Sequence, residues 1–329
     1  MFPPFLILKV ALVVISYLGF AFVSVFILRY IGNYFKEIKS KGFYQLTRIL
    51  MGVILLPVVL PSIILPIAYV DATVIEPNWI EVSKISVKAP NFNVGLQSLK
   101  IVQITDLHIE KVGPREKSLI KIINGLKPDI ILTNGDFINS EEGWAPCLAV
   151  LKQLKASKGI YTILGNTDYY FGKENEIIAM LQSIGIIVLK HDNLKLDFGE
   201  KGSFWLVGIS YKYGLLARYG EPKYVQMAFE GIPAHEPKIL LIHNPKQAEL
   251  EGVQHHRPQL ILAGDTHGGQ FGIEFIRKLS PYADRGKYMA GMFDVQGIPL
   301  YVNRGIGMKT LYLRFLCRPE ITVVRLVNG

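Results

Sequence analysis

The sequence predicts an α/β fold, helices layered on a mixed β-sheet, behind an apolar membrane-attachment region. Three observations carry this. From Asp71 onward, short apolar runs of strand character alternate with segments of helical spacing. Two of the runs, 194–198 and 204–209, lie close enough to pair as a hairpin, so the sheet is mixed rather than wholly parallel. The apolar excess of the chain, 50% of residues with a mean hydropathy of +0.28, is concentrated before residue 71.

Taken in order, residues 10–28 carry no charge and reach the ~20 residues that a membrane-spanning helix needs. No small-residue cleavage site follows, so the segment reads as a retained anchor rather than a signal peptide. Arg29, Lys36, Lys39, Lys41 and Arg48 come next against Glu37 alone, which assigns 29–48 to the cytoplasm by the positive-inside rule. A second uncharged run, 49–70, is interrupted by Pro57, Pro61 and Pro66. It either crosses the bilayer or lies in it as a kinked interfacial piece, and the two outcomes put the remaining chain on opposite sides. Residues 1–71 are thus expected to form the membrane anchor and 72–329 one further domain.

Strands are predicted over 79–87, 99–105, 129–133, 160–164, 186–189, 194–198, 204–209, 238–242, 259–263, 299–302 and 321–327. Helices are predicted over 115–126, 146–155 and 174–184. The net charge of +9 suits nucleic acid, anionic lipid or a phosphorylated substrate without choosing among them. Cys147 and Cys317 form neither a disulfide framework nor a zinc pattern.

Five predicted strand ends carry metal-type side chains. They are Asp106-Leu107-His108, Asn134-Gly135-Asp136, Gly165-Asn166-Thr167-Asp168, His243-Asn244-Pro245 and Gly264-Asp265-Thr266-His267. Singly, each reads as a turn or a helix cap. Together they are a constellation, because ligands of open α/β sheets gather beyond the carboxyl ends of the strands. Oxygen and imidazole donors without thiolate favour Mn²⁺, Mg²⁺ or Fe over a structural zinc. A carboxylate such as Asp136 can bridge two such cations, which then clamp the attacking and leaving oxygens of a phosphoryl group.

In this order the motifs resemble the calcineurin-like metallophosphoesterase superfamily, whose blocks read D-x-H, G-D, G-N-H-D/E, H and G-H-x-H. The resemblance covers roughly residues 98–327. The closing runs 300–307 and 314–321 look like the membrane-anchored branch of that superfamily. It implies a four-layer αββα sandwich over 72–329 with two divalent metal ions, Mn²⁺ foremost and Mg, Fe or Zn as alternatives. One ion would be held by Asp106, His108, Asp136 and His267. The other would share Asp136 and add Asn166, His243 and Asp265. Catalytic roles fall to Asp136, Asn166 and Asp168.

Two positions depart from the family pattern: Thr167 stands where the family has a catalytic histidine, and Asp265 where G-H-x-H has its first. One explanation is a scaffold with a relict site. The other lies in the leaving group. General acid help is worth ~10²–10⁴-fold for a basic leaving oxygen, but a leaving phosphate needs little of it. The chain therefore resembles the lipid A pathway enzymes that split UDP-2,3-diacylglucosamine into UMP and 2,3-diacylglucosamine 1-phosphate. A membrane-anchored phosphodiesterase of phospholipids or other diesters is the alternative. The expected partners are a UDP-linked glycolipid and the lipid bilayer, with no nucleic acid and no protein partner inferred. The expected place is the inner membrane, catalytic domain on the cytoplasmic face. Candidate substrate contacts are Thr167, Lys212, Arg218, Lys223 and Arg304. Lys212, Arg218 and Lys223 belong to an aromatic and basic insertion, 211–231, that suits a headgroup interface.

Overall fold

The computed structural model describes residues 60–88, 92–170, 172–211, 222–274 and 287–327, with isolated positions before residue 60. The chain divides into two compact units at Ile75/Glu76. A helix over Leu60–Asn78 (α1) is long and apolar enough, with a mean hydropathy of 1.3, to cross a membrane. It begins inside the predicted 49–70 run and continues through Asp71 and Glu76, past its expected end. The expected span at 10–28 lies outside the described residues apart from isolated positions, as do residues 49–59.

In the second unit two six-stranded sheets face each other. The first holds β1 (Glu81–Lys88), β2 (Ile101–Ile104), β3 (Ile130–Thr133), β4 (Ile160–Thr162), β5 (Ile186–Val188) and β12 (Glu320–Val327) in the order β1-β12-β2-β3-β4-β5. The second holds β6 (His191–Asp197), β7 (Ser203–Ile209), β8 (Lys238–Ile242), β9 (Leu260–Ala263), β10 (Gly291–Val295) and β11 (Ile298–Val302) in the order β10-β11-β9-β8-β7-β6. Parallel pairing runs through β2-β3-β4-β5 and through β7-β8-β9-β11. β6 pairs antiparallel with β7, as the hairpin reading expects, and β12 lies antiparallel to β2. Helices α2 (Pro114–Leu126), α3 (Trp144–Leu151) and α4 (Glu174–Ser183) accompany the first sheet, and α5 (Pro222–Phe229) and α6 (Glu251–His256) the second.

The two-residue period of the strands sorts their apolar side chains into layers. Ile101, Ile130 and Leu132 meet Ile239, Leu241, Leu260 and Leu262 between the sheets. Val102, Ile104 and Ile131 turn to the other face and pack against Leu119, Ile123, Cys147, Val150, Ile177 and Leu181 of the helices. Leu240, Ile242 and Ile261 do the same against Val225, Phe229 and Val253. The fold is thus the four-layer αββα sandwich that the resemblance implied.

Helix α2 starts as its sequence dictates. Pro114 supplies a preset first turn, and the Glu116 carboxylate accepts from the Gly113 N–H at 2.8 Å. The helix expected over 146–155 ends earlier, at Leu151, because Gln153 and Leu154 close it with tighter bonds to the Val150 and Leu151 carbonyls at 3.0 and 3.1 Å. Helix α6 and strand β10 escape the sequence reading. The one is too short to establish a period, and the other alternates over only five residues.

Candidate metal centre

The carboxyl ends of β2, β3, β4, β8 and β9 bring the five metal-type loops to one place. Five of their residues, Asp106, His108, Asp136, Asp265 and His267, sit in the left-handed backbone region at φ between 41° and 68°. Side chains other than glycine rarely enter it, at a cost of ~1–3 kcal/mol each. The surrounding bonds hold them there. His108 N and Asp106 N donate to the carbonyls of Asp136 (3.1 Å) and Gly135 (3.0 Å), and Asp265 N donates to Asp106 Oδ2 at 3.0 Å. Two glycines make the close approach possible. A β-carbon at Gly165 would overlap Asp136 Oδ1, and one at Gly264 would overlap Asp106 Oδ2.

The side chains form two groups around Asp136. On one side, His108 Nε2 lies 3.5 Å from Asp136 Oδ2 and 3.2 Å from His267 Nε2. Asp106 Oδ1 lies 3.5 Å from His267 Nε2 and 3.9 Å from His108 Nε2. On the other side, His243 Nε2 lies 3.5 Å from Asp136 Oδ1, 3.5 Å from Asp265 Oδ1 and 2.9 Å from Asn166 Oδ1. All of these residues are buried. Asp136 therefore turns one carboxylate oxygen to each group.

This donor set fits a pair of divalent cations. Two imidazole nitrogens face each other beside two carboxylates, and Asp106 Oδ1 is buried without a hydrogen-bond partner among the described residues. Burial pushes His108 down to about 4, with Lys309 adding to the shift, so its ring is neutral at physiological pH and able to ligate. The triads Asp106–His108–His267 and Asp106–Asp136–His243 each bring their donor atoms close enough to hold one ion.

The remaining titrations show what cation uptake must displace. Burial opposes a charge on His243, but Asp136, Asp265 and Asp106 outweigh it and raise the ring to about 10. Burial and the neighbouring carboxylates raise Asp106 to about 7, although His243 pulls the other way. Burial also works against the charge of Asp136, yet His243, His108 and Lys309 keep it below the usual range. Ligation needs His243 and Asp106 deprotonated, so uptake should release more than one proton per chain near neutral pH. The sign is fixed by the raised values. Protons compete up to about 7 at Asp106 and about 10 at His243, so affinity rises with pH across that window. Calorimetric Mn²⁺ titration in buffers of different ionisation enthalpy measures the protons released; a value of zero contradicts the site.

Around the ligands stands a polar frame that ties the sheets together. Asn134 Nδ2 donates to the Ile242 and Leu262 carbonyls, each at 2.8 Å, and its Oδ1 accepts from Gln103 Nε2 at 2.8 Å. The Asn134 carbonyl lies 2.7 Å from His243 Nδ1, which turns Nε2 toward the centre. Asn244 Nδ2 donates to Asp265 Oδ2 and so directs Oδ1 to the second group. Thr167 N donates to Asp136 Oδ1 at 2.8 Å, while its buried Oγ1 has no hydrogen-bond partner among the described residues.

The seven expected ligands, Asp106, His108, Asp136, Asn166, His243, Asp265 and His267, come together. Two other expectations need correction. Asp168, expected to take part in the chemistry, has its carboxylate occupied by backbone donors. Asp136 N (2.9 Å) and Gly165 N (2.8 Å) bond Oδ2, and Phe137 N (3.0 Å) bonds Oδ1, which makes Asp168 a positioning residue. Arg304, expected to contact substrate, instead pairs its guanidinium with Glu320 at 3.2 Å and Glu81 at 3.0 Å. Lys223 lies exposed at the start of α5, and Lys212 and Arg218 lie outside the described residues.

Two residues near the centre escaped the sequence reading. Lys309 Nζ lies 4.7 Å from the ring centroid of Tyr170, and its charge reaches both His108 and Asp136. It lies two residues beyond the glycine-rich run 303–307, whose Gly307 N donates to the Asp106 carbonyl at 2.6 Å. Arg314 is wholly buried and donates to the carbonyls of Arg304 (2.9 Å), Gly305 (3.1 Å), Gly307 (2.7 Å) and Cys317 (3.1 Å). It thereby fixes the loop on which the Asp106–His108 segment rests.

Comparison with known proteins agrees with this geometry. Residues 99–269 match the model of the calcineurin-like phosphoesterase family. Over 271 residues the chain is 31% identical to the uncharacterized metallophosphoesterase YkuE of Bacillus subtilis, covering 78% of this chain and 88% of that protein. It is 31% identical over 264 residues to phosphodiesterase YaeI of Escherichia coli, covering 77% and 90%. A transmembrane protein with metallophosphoesterase domain from Danio rerio is 28% identical over 250 residues, covering 74% of this chain but only 56% of that longer one. A family match over the strand-end loops, with relatives matched over most of their length, makes this chain a member of the calcineurin-like phosphoesterase family.

Proposed function

We propose that the chain hydrolyses a phosphoric anhydride or activated phosphodiester carried by an amphiphilic molecule at a membrane. The observation that supports this most is Asp136, one carboxylate oxygen turned to each His-containing group. The seven ligands would hold two divalent cations there, Mn²⁺ foremost, which would supply Lewis acidity and neutralise charge on a phosphoryl group. The chain's own residues do the rest. Lys309 holds a cation beside the centre, suited to a non-bridging phosphoryl oxygen. Asn166 Nδ2, buried and without a partner among the described residues, offers a donor to the bound phosphate. Thr167 offers no imidazole to protonate a leaving oxygen, so the leaving group must be weakly basic by itself.

A leaving phosphate meets that requirement, and UDP-2,3-diacylglucosamine, cleaved to UMP and 2,3-diacylglucosamine 1-phosphate, is the specific substrate proposed. The apolar helix α1 and the net charge of +9 suit an anionic lipid substrate better than a nucleic acid. The reading puts the catalytic domain on the cytoplasmic face of the inner membrane, where a UDP-linked substrate is made. Reagent accessibility of a cysteine introduced at Asp71 tests that side. The name of YaeI supports a second reading, a phosphodiesterase of phospholipids or other diesters.

Detergent-purified protein supplied with Mn²⁺ and UDP-2,3-diacylglucosamine should release UMP. Robust cleavage of bis(p-nitrophenyl) phosphate with no UMP would favour the second reading. Thr167 tests the leaving-group argument. Thr167→Ala removes only a hydroxyl with no hydrogen-bond partner among the described residues and should change UMP release by less than about 3-fold. Thr167→His should raise cleavage of alkyl diesters by up to ~10²-fold, with little effect on the anhydride. A severe loss in Thr167→Ala would show a direct role for the hydroxyl and sink the argument.

A further inference from the structure

The segment 311–317 inverts the ordinary rule of burial. Arg314 is wholly inside, its two terminal guanidinium nitrogens donating to backbone carbonyls, while Tyr312 and Leu316 turn outward, 58% and 59% exposed. A single exposed leucine needs no explanation, but Leu316 has apolar neighbours. Its backbone lies against Gly272, where a β-carbon would overlap the Leu316 carbonyl, and this brings Ile273 alongside, 39% exposed. The Phe271–Phe315 bridge and the bond from Gly272 N to the Phe315 carbonyl at 2.8 Å hold the two segments together. On the other flank, the Glu76 carboxylate accepts from Leu316 N at 2.6 Å and from Cys317 N. Trp79 N donates to the Glu76 carbonyl at 3.0 Å, and its ring, 54% exposed, lies 3.5 Å from the Arg318 guanidinium. These bonds tie the segments carrying the exposed Trp79, Leu316 and Ile273 into one face, edged by the stacked Arg318 cation.

We propose that this face rests on the surface of the lipid bilayer. Trp79 follows directly in the chain after α1, the helix long and apolar enough to cross a membrane. Tryptophan is enriched at the interface between headgroups and acyl chains, and the arginine stacked on its ring adds a positive charge at that level. Arg318 and the basic balance of the chain complement anionic headgroups. The inner side of the face meets the metal centre, since Cys317 Sγ lies 3.4 Å from the His267 carbonyl. Docking therefore holds the ligand loops at the lipid–water boundary, where an amphiphile can present its phosphate without leaving the membrane.

The test reads fluorescence and is independent of any activity. The full chain is reconstituted into vesicles of phosphatidylcholine and phosphatidylglycerol, with or without brominated acyl chains. In a Trp79→Phe background, reporters are Leu316→Trp, Ile273→Trp and a control, Val94→Trp, which is 64% exposed and precedes β2 at the end opposite the ligand loops. Trp144 and Trp205 remain as a constant background. The reporters at 316 and 273 should be quenched by brominated lipid and shielded from acrylamide at least ~3-fold better than the control. Reporters that acrylamide reaches as freely as the control would overturn the proposal. So would shielding without lipid quenching, which points to a second protein surface, or equal lipid quenching of the control.

Discussion

Asp136→Ala should abolish hydrolysis and reduce the metal content to one ion per chain or fewer. Its two carboxylate oxygens face His108 Nε2 and His243 Nε2, each at 3.5 Å, so one substitution removes a donor from both groups. Removing a single preorganised electrostatic contact in an active site costs ~10²–10³-fold. Losing a bridge that serves two cations should cost on the order of 10³-fold or more, ~4 kcal/mol of transition-state stabilisation. Asp265→Ala offers the contrast, because Asp265 Oδ1 lies 3.5 Å from His243 in the second group. It should weaken one ion and leave the other. Metal analysis after gel filtration, with initial rates on bis(p-nitrophenyl) phosphate, distinguishes the two. An Asp136→Ala protein that keeps both ions would end the bridging reading and with it the dinuclear centre.

The donor set could be read from the sequence because it is written in short local motifs. Asp106 and His108 are two residues apart, as are Asp265 and His267, and each pair follows an apolar strand whose end fixes where it points. Layer order could be read for the same reason, since Val102 and Ile101 go to opposite faces by the period of a strand alone. What could not be read depends on distant partners. Asn134 looks like a turn residue, yet it serves carbonyls on β8 and at Leu262 more than a hundred positions away. Arg304 looks like a free cation in a glycine-rich run, but Glu81 and Glu320 occupy it. Arg314, between aromatic and apolar neighbours, has no local sign that four carbonyls will bury it.

Asp168 shows how such a distant arrangement decides the stability of the centre, and Asp168→Ala should be the most destabilising change near it. Three buried N–H groups, of Asp136, Phe137 and Gly165, bond its carboxylate at 2.8 to 3.0 Å. Each orphaned buried donor costs ~1–3 kcal/mol, so the variant should lose about 3 kcal/mol or more from a total of ~5–15 kcal/mol. Burial and the Asp136 charge raise Asp168 to about 7, against the pull of those donors. A carboxyl group raised on folding favours the native state below its unfolded value of 3.8 and loses that contribution as pH rises through about 7. The metal-free protein should therefore lose stability across that window, and Asp168→Ala should flatten part of the slope in urea melts at several pH values. Asp168 also holds the backbone of Asp136 at φ 56°, so the variant should bind metal ~10–100-fold more weakly. Excess Mn²⁺ should restore much of its activity, because every ligand is still present. It should restore none in Asp136→Ala, and an Asp168→Ala protein equally beyond rescue would make Asp168 a reacting group after all.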